Sequence, residues 1–407
     1  MSSKPKPNSG KLNGEHGLVP KLRFPAFQAA APWDLKRGDA LFDAINNRSA
    51  PPGLPVLAIT QEHGAIPRDH IDYHVSATAE SIATYKEVCV GDFIISLRSF
   101  QGGIEYSRFH GICSPAYVIL RRKGKGSDDY FRHLFKSARF IQQLNRNIEG
   151  LRDGKMISYA QFSEQMVPVP DSEEQEKIAD CLNSVDNLIA AHDRRLAALQ
   201  AHKRGLMRDL FPCDGETIPR LRFLEFRGGP QWENTTLATV GTMRAGDFVA
   251  ASEIADTPGP ALFPCYGGNG LRGYTKTFTH DGEYALIGRQ GALCGNAFLV
   301  EGKFHATEHA LVVTPAPGVN VAWLYHALEC LNLNRFSIGQ AQPGLSVTVL
   351  QAVPIAIPKG ESEQQRIADC LSSLNETIAA EVAGLATLRT HRNGLMQRLF
   401  PILKERV

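Results

Sequence analysis

The sequence predicts an α+β protein: two globular bodies in tandem pseudo-repeat, spaced by two long antiparallel coiled-coil helices. Three observations predict it. A helical segment occurs twice, EEQEKIADCLNSVDNLIAAHDRRLAALQAHKRGLMRDLFP at Glu173–Pro212 and SEQQRIADCLSSLNETIAAEVAGLATLRTHRNGLMQRLFP at Ser362–Pro401. The copies align without a gap from Glu174/Glu363 to Pro212/Pro401. A short head precedes each body: Pro20-Lys-Leu-Arg-Phe24 matches Pro219-Arg-Leu-Arg-Phe223, with Phe27 opposite Phe226 and Trp33 opposite Trp232. The bodies themselves share an outline but almost no sequence. A repeat period this long is that of domains, each able to bury its own core, and not of a solenoid.

The elements follow in order. Residues 1–19 are polar and rich in Gly, Pro and Lys; they are expected to form a disordered arm and lack the apolar core of a signal peptide. The first body covers 20–170 and the second 213–358. Each closes with an amphipathic helix, Phe131, Leu134, Phe135, Ala138, Ile141 and Leu144 in one, Leu324, Ala327, Leu328 and Leu331 in the other. Spacings of three and four put these groups on one helical face. A Gly-containing turn then leads to Met156–Tyr159 or Leu345–Thr348, and a strand ends at proline, in Val167–Pro170 and Val353–Pro358. Proline there releases the chain into the long helix.

The long helices occupy 171–212 and 359–401, followed by a tail, 402–407. Ile178, Leu182, Val185, Ile189, Leu196 and Leu199 form a heptad seam in the first, and Ile367, Leu371, Leu374, Ile378, Leu385 and Leu388 in the second. Polar residues interrupt both seams at equivalent places, His192 and Lys203, Glu381 and Arg392. Such a seam wants a partner helix, and the internal copy is the nearest candidate. An antiparallel pairing would let Lys203 face Glu381, although sequence does not set the register. A helix of about forty residues spans roughly 60 Å, so the pair is expected to hold the bodies at a fixed separation.

Composition narrows the function classes. A net charge of +2 announces no nucleic-acid binder, so any DNA-binding groups must be locally clustered. The eight cysteines show no CxxC spacing and read as free thiols of a cytoplasmic protein. No run approaches the roughly 18 apolar residues of a membrane span. Two catalytic patterns fail on context. Gly268–Gly273 fits GxGxxG but leads into β-branched and aromatic residues where a dinucleotide fold needs a helix. His305-Ala-Thr-Glu-His309 fits HxxEH, yet the strand-like residues after it would separate the ligands. No cofactor and no catalytic or metal site is expected.

The repeated motifs resemble one family, the specificity subunits of type I restriction–modification systems. The resemblance covers nearly the whole chain. It rests on Glu-Gln-x-x-Ile-Ala-Asp-Cys-Leu at Glu174–Leu182 and Glu363–Leu371, and on Gly-Leu-Met at Gly205–Met207 and Gly394–Met396. Leu-Phe-Pro at Leu210–Pro212 and Leu399–Pro401, and the two heads, complete it. One departure is a second body about ten residues shorter than the first. The resemblance implies that each body is a target recognition domain reading one half of a split, asymmetric DNA site. It further implies that the helices set the gap and dock two modification subunits that methylate adenine, with restriction subunits joining. This chain would then perform no chemistry itself.

Base reading needs directed donors and acceptors on loops that enter a groove, Arg for guanine and Asn or Gln for adenine. In the first body the stretch Arg98–His110 offers Arg98, Gln101, Tyr106 and Arg108, and a basic turn adds Arg146, Asn147, Arg152 and Lys155. The second body offers Asn269, Arg272, Tyr274 and Lys276, then Arg289 and Gln290, then Gln340 and Gln342. The alternative from another class is a scaffold whose bodies bind protein or RNA. Steeply salt-dependent binding to duplex DNA would separate the two.

Overall fold

The structure, a computed structural model, describes residues 18–71, 79–146, 157–291, 293–339 and 343–402. The expected arm therefore lies outside the described residues up to position 17, and the tail beyond 402. The chain is α+β and forms two compact units, Met1–Ala191 with Leu385–Val407, and His192–Gly384. The long helices, Ser172–Leu210 and Glu361–Leu399, are each 39 residues. Both unit boundaries fall inside them, so each unit owns the first half of one helix and the second half of the other.

The seam predicted from sequence is the covered stripe of both helices. Ile178, Leu182, Ile367, Leu371 and Leu385 are buried; Val185, Ile189, Leu196, Leu199, Leu374, Ile378 and Leu388 are half-buried. In the first unit Ile178 and Leu182 share a core with Met396, Leu399 and Phe400. In the second, Leu210 and Phe211 share one with Ile367 and Leu371. Early residues of one helix meet late residues of the other, so the halves within each unit run antiparallel. The expected Lys203–Glu381 pair does not form. Glu381 takes His192 at 2.5 Å, while Lys203 reaches Glu329 on the body helix at 3.0 Å. Arg392, the counterpart of Lys203, pairs with Asp186. Each seam polar group thus finds a polar partner inside its own unit.

The heads are latched identically. Arg23 donates to both oxygens of Glu174, at 2.8 and 2.7 Å, and Trp33 Nε1 donates to the same carboxylate. Arg222 and Trp232 do the same to Glu363. The Leu22 N–H donates to the Arg398 carbonyl and the Leu221 N–H to the Asp209 carbonyl, so each head also caps the end of a long helix.

The divergent bodies share one topology. The first unit has an antiparallel sheet in the order Phe42–Ile45, Val118–Arg122, Phe93–Ile95, Glu105–Tyr106. The second repeats it as Gly241–Ala245, Ala310–Pro315, Tyr284–Gly288, Ala297–Val300. Another layer in the second unit orders Gly270–Thr275, Phe263–Gly267, Lys303–Ala306 and His280–Asp281, its middle pair parallel. Its counterpart in the first unit is two ladders, Leu57–Thr60 with Gly64–Pro67 and Lys86–Val88 with Gly111–Cys113, joined by the parallel Val56–Ile112 bridge. The central strands are buried on both faces: Phe93, Ile95 and Leu120 join one core, while Ile94 and Ile119 join another. Phe42 sits at the centre of the first core, its ring 5.2 to 5.8 Å from Phe93, Phe131, Phe135 and Phe162.

The helix expected through Phe131–Leu144 is in fact two, Asp128–Phe135 and Ala138–Arg146. Ser137 breaks it: its hydroxyl donates to the Leu134 carbonyl and accepts from the Phe140 N–H, a local competition with the helix ladder. The first piece carries His133, 1% exposed, with Nε2 at 2.8 Å from Asn183 Oδ1 on the long helix. Burial, reinforced by the Arg132 charge, pushes its pKa down to about 4. The unfolded imidazole, near 6.5, binds a proton first as pH falls, so stability contributed by neutral His133 is lost between pH 6.5 and 4. Lowering pH from 7 to 5 should remove about 2 kcal/mol through this group. Urea unfolding of wild type against His133→Gln checks it; equal pH slopes would exclude His133 as the source.

Candidate nucleic-acid interface

Pairing decides which loops of a body meet. In the second unit Gly288 pairs with Ala310, so residues after Gly288 and before Ala310 emerge at the same end. The strands Phe263–Gly267 and Lys303–Ala306 run parallel, which brings the Gly268–Asn269 turn to that end as well. The contacts are close: the Arg289 N–H donates to the His309 carbonyl at 3.0 Å and the Thr307 N–H to the Tyr266 carbonyl at 2.8 Å. A Cβ on Gly288 would lie 1.9 Å from the Gly268 carbonyl oxygen, so that approach requires glycine. The Gly291 N–H donates to the Pro343 carbonyl, and Gln290 bridges to Gly344. The Gly268–Asn269 turn and the Arg289–Gln290 loop, which sequence reading singled out separately, are therefore one surface, and Pro343 and Gly344 join it.

The first unit repeats the arrangement. Ile95 pairs with Val118, and the Leu57–Thr60 strand runs parallel to Gly111–Cys113, so the Gln61–His63 turn, the Arg98 loop and the Ser114–Tyr117 loop share an end. Gln61 Nε2 donates to the Arg98 carbonyl at 3.4 Å. Lys136 fastens the group from beneath, donating to the Gln61 and Gly102 carbonyls at 3.0 Å and to Glu105 at 2.5 Å. Burial pushes the Glu105 carboxyl up, opposed by the Lys136 charge. Burial likewise pushes the Tyr117 hydroxyl up, against the pull of the Arg68 and Arg98 charges. Backbone and buried groups set the loops, leaving their tips for a ligand.

The candidate residues divide accordingly. Arg98 and Gln101 are exposed, at the cap and within the short helix Ser99–Gly102. Tyr106 and Arg108 do not join them. Glu105 and Tyr106 form a strand whose Tyr106 pairs with Phe93, which carries exposed Arg108 to the opposite end from Arg98. Tyr106 is half-buried with its ring 5.1 Å from Phe93, a packing role. The stretch from Arg98 to His110 is thus two elements and not one flexible loop, because strand pairing outcompetes its glycines. Arg146 ends its helix; Asn147, Arg152 and Lys155 lie outside the described residues, as do Gln340 and Gln342.

In the second unit Asn269 is exposed at the turn and Gln290 exposed beside it, with Arg289 half-buried. Arg272 is the extra residue of a β-bulge: Cys265 pairs with Gly273 and Tyr266 with Leu271, leaving Arg272 unpaired and exposed. Bulges re-aim a side chain in this way. Tyr274 instead exchanges two backbone hydrogen bonds with Ala255, both 2.8 Å. Lys276 follows the far end of that strand, roughly 20 Å from Asn269 at 3.3 Å per residue, and is not part of the loop cluster.

Sequence reading missed Gln61, His63 and Tyr117, and Glu308 and His309, which it weighed only as a metal motif. His305 lies in a strand, its ring bonded to Thr277 and the Asp247 carbonyl, while Glu308 and His309 form the turn beyond it. Gly268–Gly273 is likewise a turn and strand. A turn signal between two apolar runs was the available clue for all five. All eight cysteines are free. No described helix is long and apolar enough to cross a membrane.

Comparison with known proteins agrees with this duplicated plan. The family described as the type I restriction modification DNA specificity domain matches residues 34–201 and again 230–388. The type I restriction enzyme EcoprrI specificity subunit of Escherichia coli is 47% identical over 129 residues, 31% of this chain and 32% of that protein. The MjaVIII specificity subunit of Methanocaldococcus jannaschii is 27% identical over 179 residues, 42% of this chain and 41% of that protein. The chain thus aligns with about a third to two fifths of these relatives' length. In fold, it matches the crystal structure of a type I restriction–modification S subunit from M. genitalium with a TM-score of 0.65 at 16% identity, over 95% of this chain and 100% of that one.

Proposed function

The chain belongs to the type I restriction–modification DNA specificity family, and from that premise we propose that it selects the site for an adenine-methylating complex without catalysing any step. Each body reads one half of a split, asymmetric duplex sequence. Two modification subunits dock on the repeated helix and head surfaces, and restriction subunits join the assembly, in the cytoplasm. The observation that carries this reading is the duplication itself: one topology and one loop cluster, twice, with different side chains at the tips. Constant frames with divergent tips suit two different targets read in a common geometry. Arg98 and Gln101 in one body, and Asn269, Arg272, Arg289 and Gln290 in the other, are its base- and phosphate-contacting groups, together with Arg146, Asn147, Arg152, Lys155, Gln340 and Gln342.

A map of N6-methyladenine in cells carrying this chain and its modification subunit tests the proposal. A split motif with a fixed unspecified gap, lost on deleting the chain, is the expected result. A stable complex that produces no motif would leave only a protein- or RNA-binding scaffold. The helices are proposed to set the gap. An insertion of about one heptad at Ala197–Ala201 adds roughly 10 Å of helix and should lengthen the gap, leaving both half-site sequences alone. An unchanged gap would remove the helices from that role.

A further inference from the structure

Six buried side-chain nitrogens or oxygens among the described residues have no hydrogen-bond partner, and three of them belong to one loop cluster: Arg289 Nε, Glu308 Oε2 and His309 Nδ1. Buried polar groups are normally satisfied, and a concentration of exceptions needs an explanation. The backbone explains how they meet. Arg289 and His309 are joined by a 3.0 Å hydrogen bond next to the Gly288–Ala310 pair, and Glu308 precedes His309 in the same turn. His309 Nε2 lies 3.2 Å from Glu308 Oε1, which occupies one carboxylate oxygen and leaves the other orphaned. A carboxylate with an open acceptor and a guanidinium with an open donor therefore stand on adjacent loops.

We propose that Arg289 and Glu308 together read one G·C base pair from the major groove, an assignment that rests on the second body being a DNA reader. Guanine presents its O6 and N7 acceptors to an arginine, and cytosine presents the N4 amino donor to a carboxylate. The two edges are neighbours across one base pair, as the two residues stand on neighbouring loops joined through the Arg289–His309 backbone hydrogen bond. An A·T pair set against the same groups would put the adenine N6 amino donor before the guanidinium and the thymine O4 acceptor before the carboxylate. His309 is a positioning residue that holds Glu308, and Arg272 adds positive charge close by: it and Glu308 both act on the Cys265 thiol. The unsatisfied groups weaken the free protein and are satisfied by the base pair, which makes them discriminate strongly against any pair that leaves one unmatched.

Selection of a random-sequence duplex library by the full-length chain tests this. Wild type should return two specified halves, one containing a required G·C pair. Glu308→Gln, which keeps shape but replaces an acceptor by an amide, and Arg289→Met, which removes the donors, should relax that position by about ten- to a hundredfold, with the other half unchanged. Replacing that guanine by 7-deazaguanine should weaken wild type and leave Arg289→Met little affected. Unchanged letters in both variants, or a half with no G·C pair, would overturn the assignment while the DNA-reading function stands. Loss of letters in both halves with a lowered melting temperature would mark the cluster as structural and also overturn it. A wild-type chain that selects no motif fails at the level of the proposed function, and the assignment falls with it.

Discussion

Replacing Arg222 by alanine is expected to destabilise the second unit by about 3–5 kcal/mol, and Arg23→Ala the first by a similar amount. The reason is the carboxylate left behind. Glu363 is 4% exposed and Glu174 2% exposed, and each is held by a bidentate guanidinium and an indole N–H. Without the arginine an ionised carboxylate stays buried with one neutral donor, a far larger penalty than the net worth of the pair. Removing both charges together, as Arg222→Met with Glu363→Gln, should cost much less for the same reason. Denaturant unfolding followed by tryptophan fluorescence reads it, since Trp232 and Trp323 lie in the second core and Trp33 in the first. A loss under about 1 kcal/mol, the range of exposed pairs, would mean that water reaches the carboxylate.

If the second body reads a half-site as proposed, reversing Arg272 and Arg289 to glutamate together should weaken binding to it by a hundredfold or more. A good arginine–base contact is worth about 1–3 kcal/mol, and reversal adds repulsion from phosphate to the loss. Arg272 is exposed on a bulge and Arg289 half-buried at the loop junction, so neither supports the core. The complex with the modification subunit should therefore assemble as before. Fluorescence anisotropy on the cognate duplex, with size exclusion of the assembled complex, separates the two effects. Assembly lost in step with binding would make these loops part of the frame.

The frame was largely legible in the sequence because a duplication prints each constraint twice. Glu174 with Glu363 and Trp33 with Trp232 stand at matching positions, and the seam residues fall on the covered stripe. The loop clusters were only half legible. Arg289, Gln290 and Asn269 were found as polar residues among glycines, but that they meet depends on a parallel strand pair no local pattern encodes. Arg108 was grouped with Arg98 because the two are close in sequence, and the pairing of Tyr106 with Phe93 sends them apart. Sequence offers Glu381 to Lys203 in an antiparallel pair because both interrupt a seam. Glu329, on a body helix whose position sequence does not reveal, supplies the nearer charge.

The exchange of helix halves bears on synthesis. The second unit, His192–Gly384, is one contiguous stretch, whereas the first is completed only by Leu385 onward. As the chain leaves the ribosome, the first body emerges before the second and yet waits for Met396, Leu399 and Phe400, made only after the whole second unit, to close its core. Until then Ile178, Leu182 and the ring of Tyr130, which Phe400 faces at 5.7 Å, lack their cover. The order of completion is thus the reverse of the order of translation, and a stop codon near Gly384 would spare the later-made unit and open the earlier one.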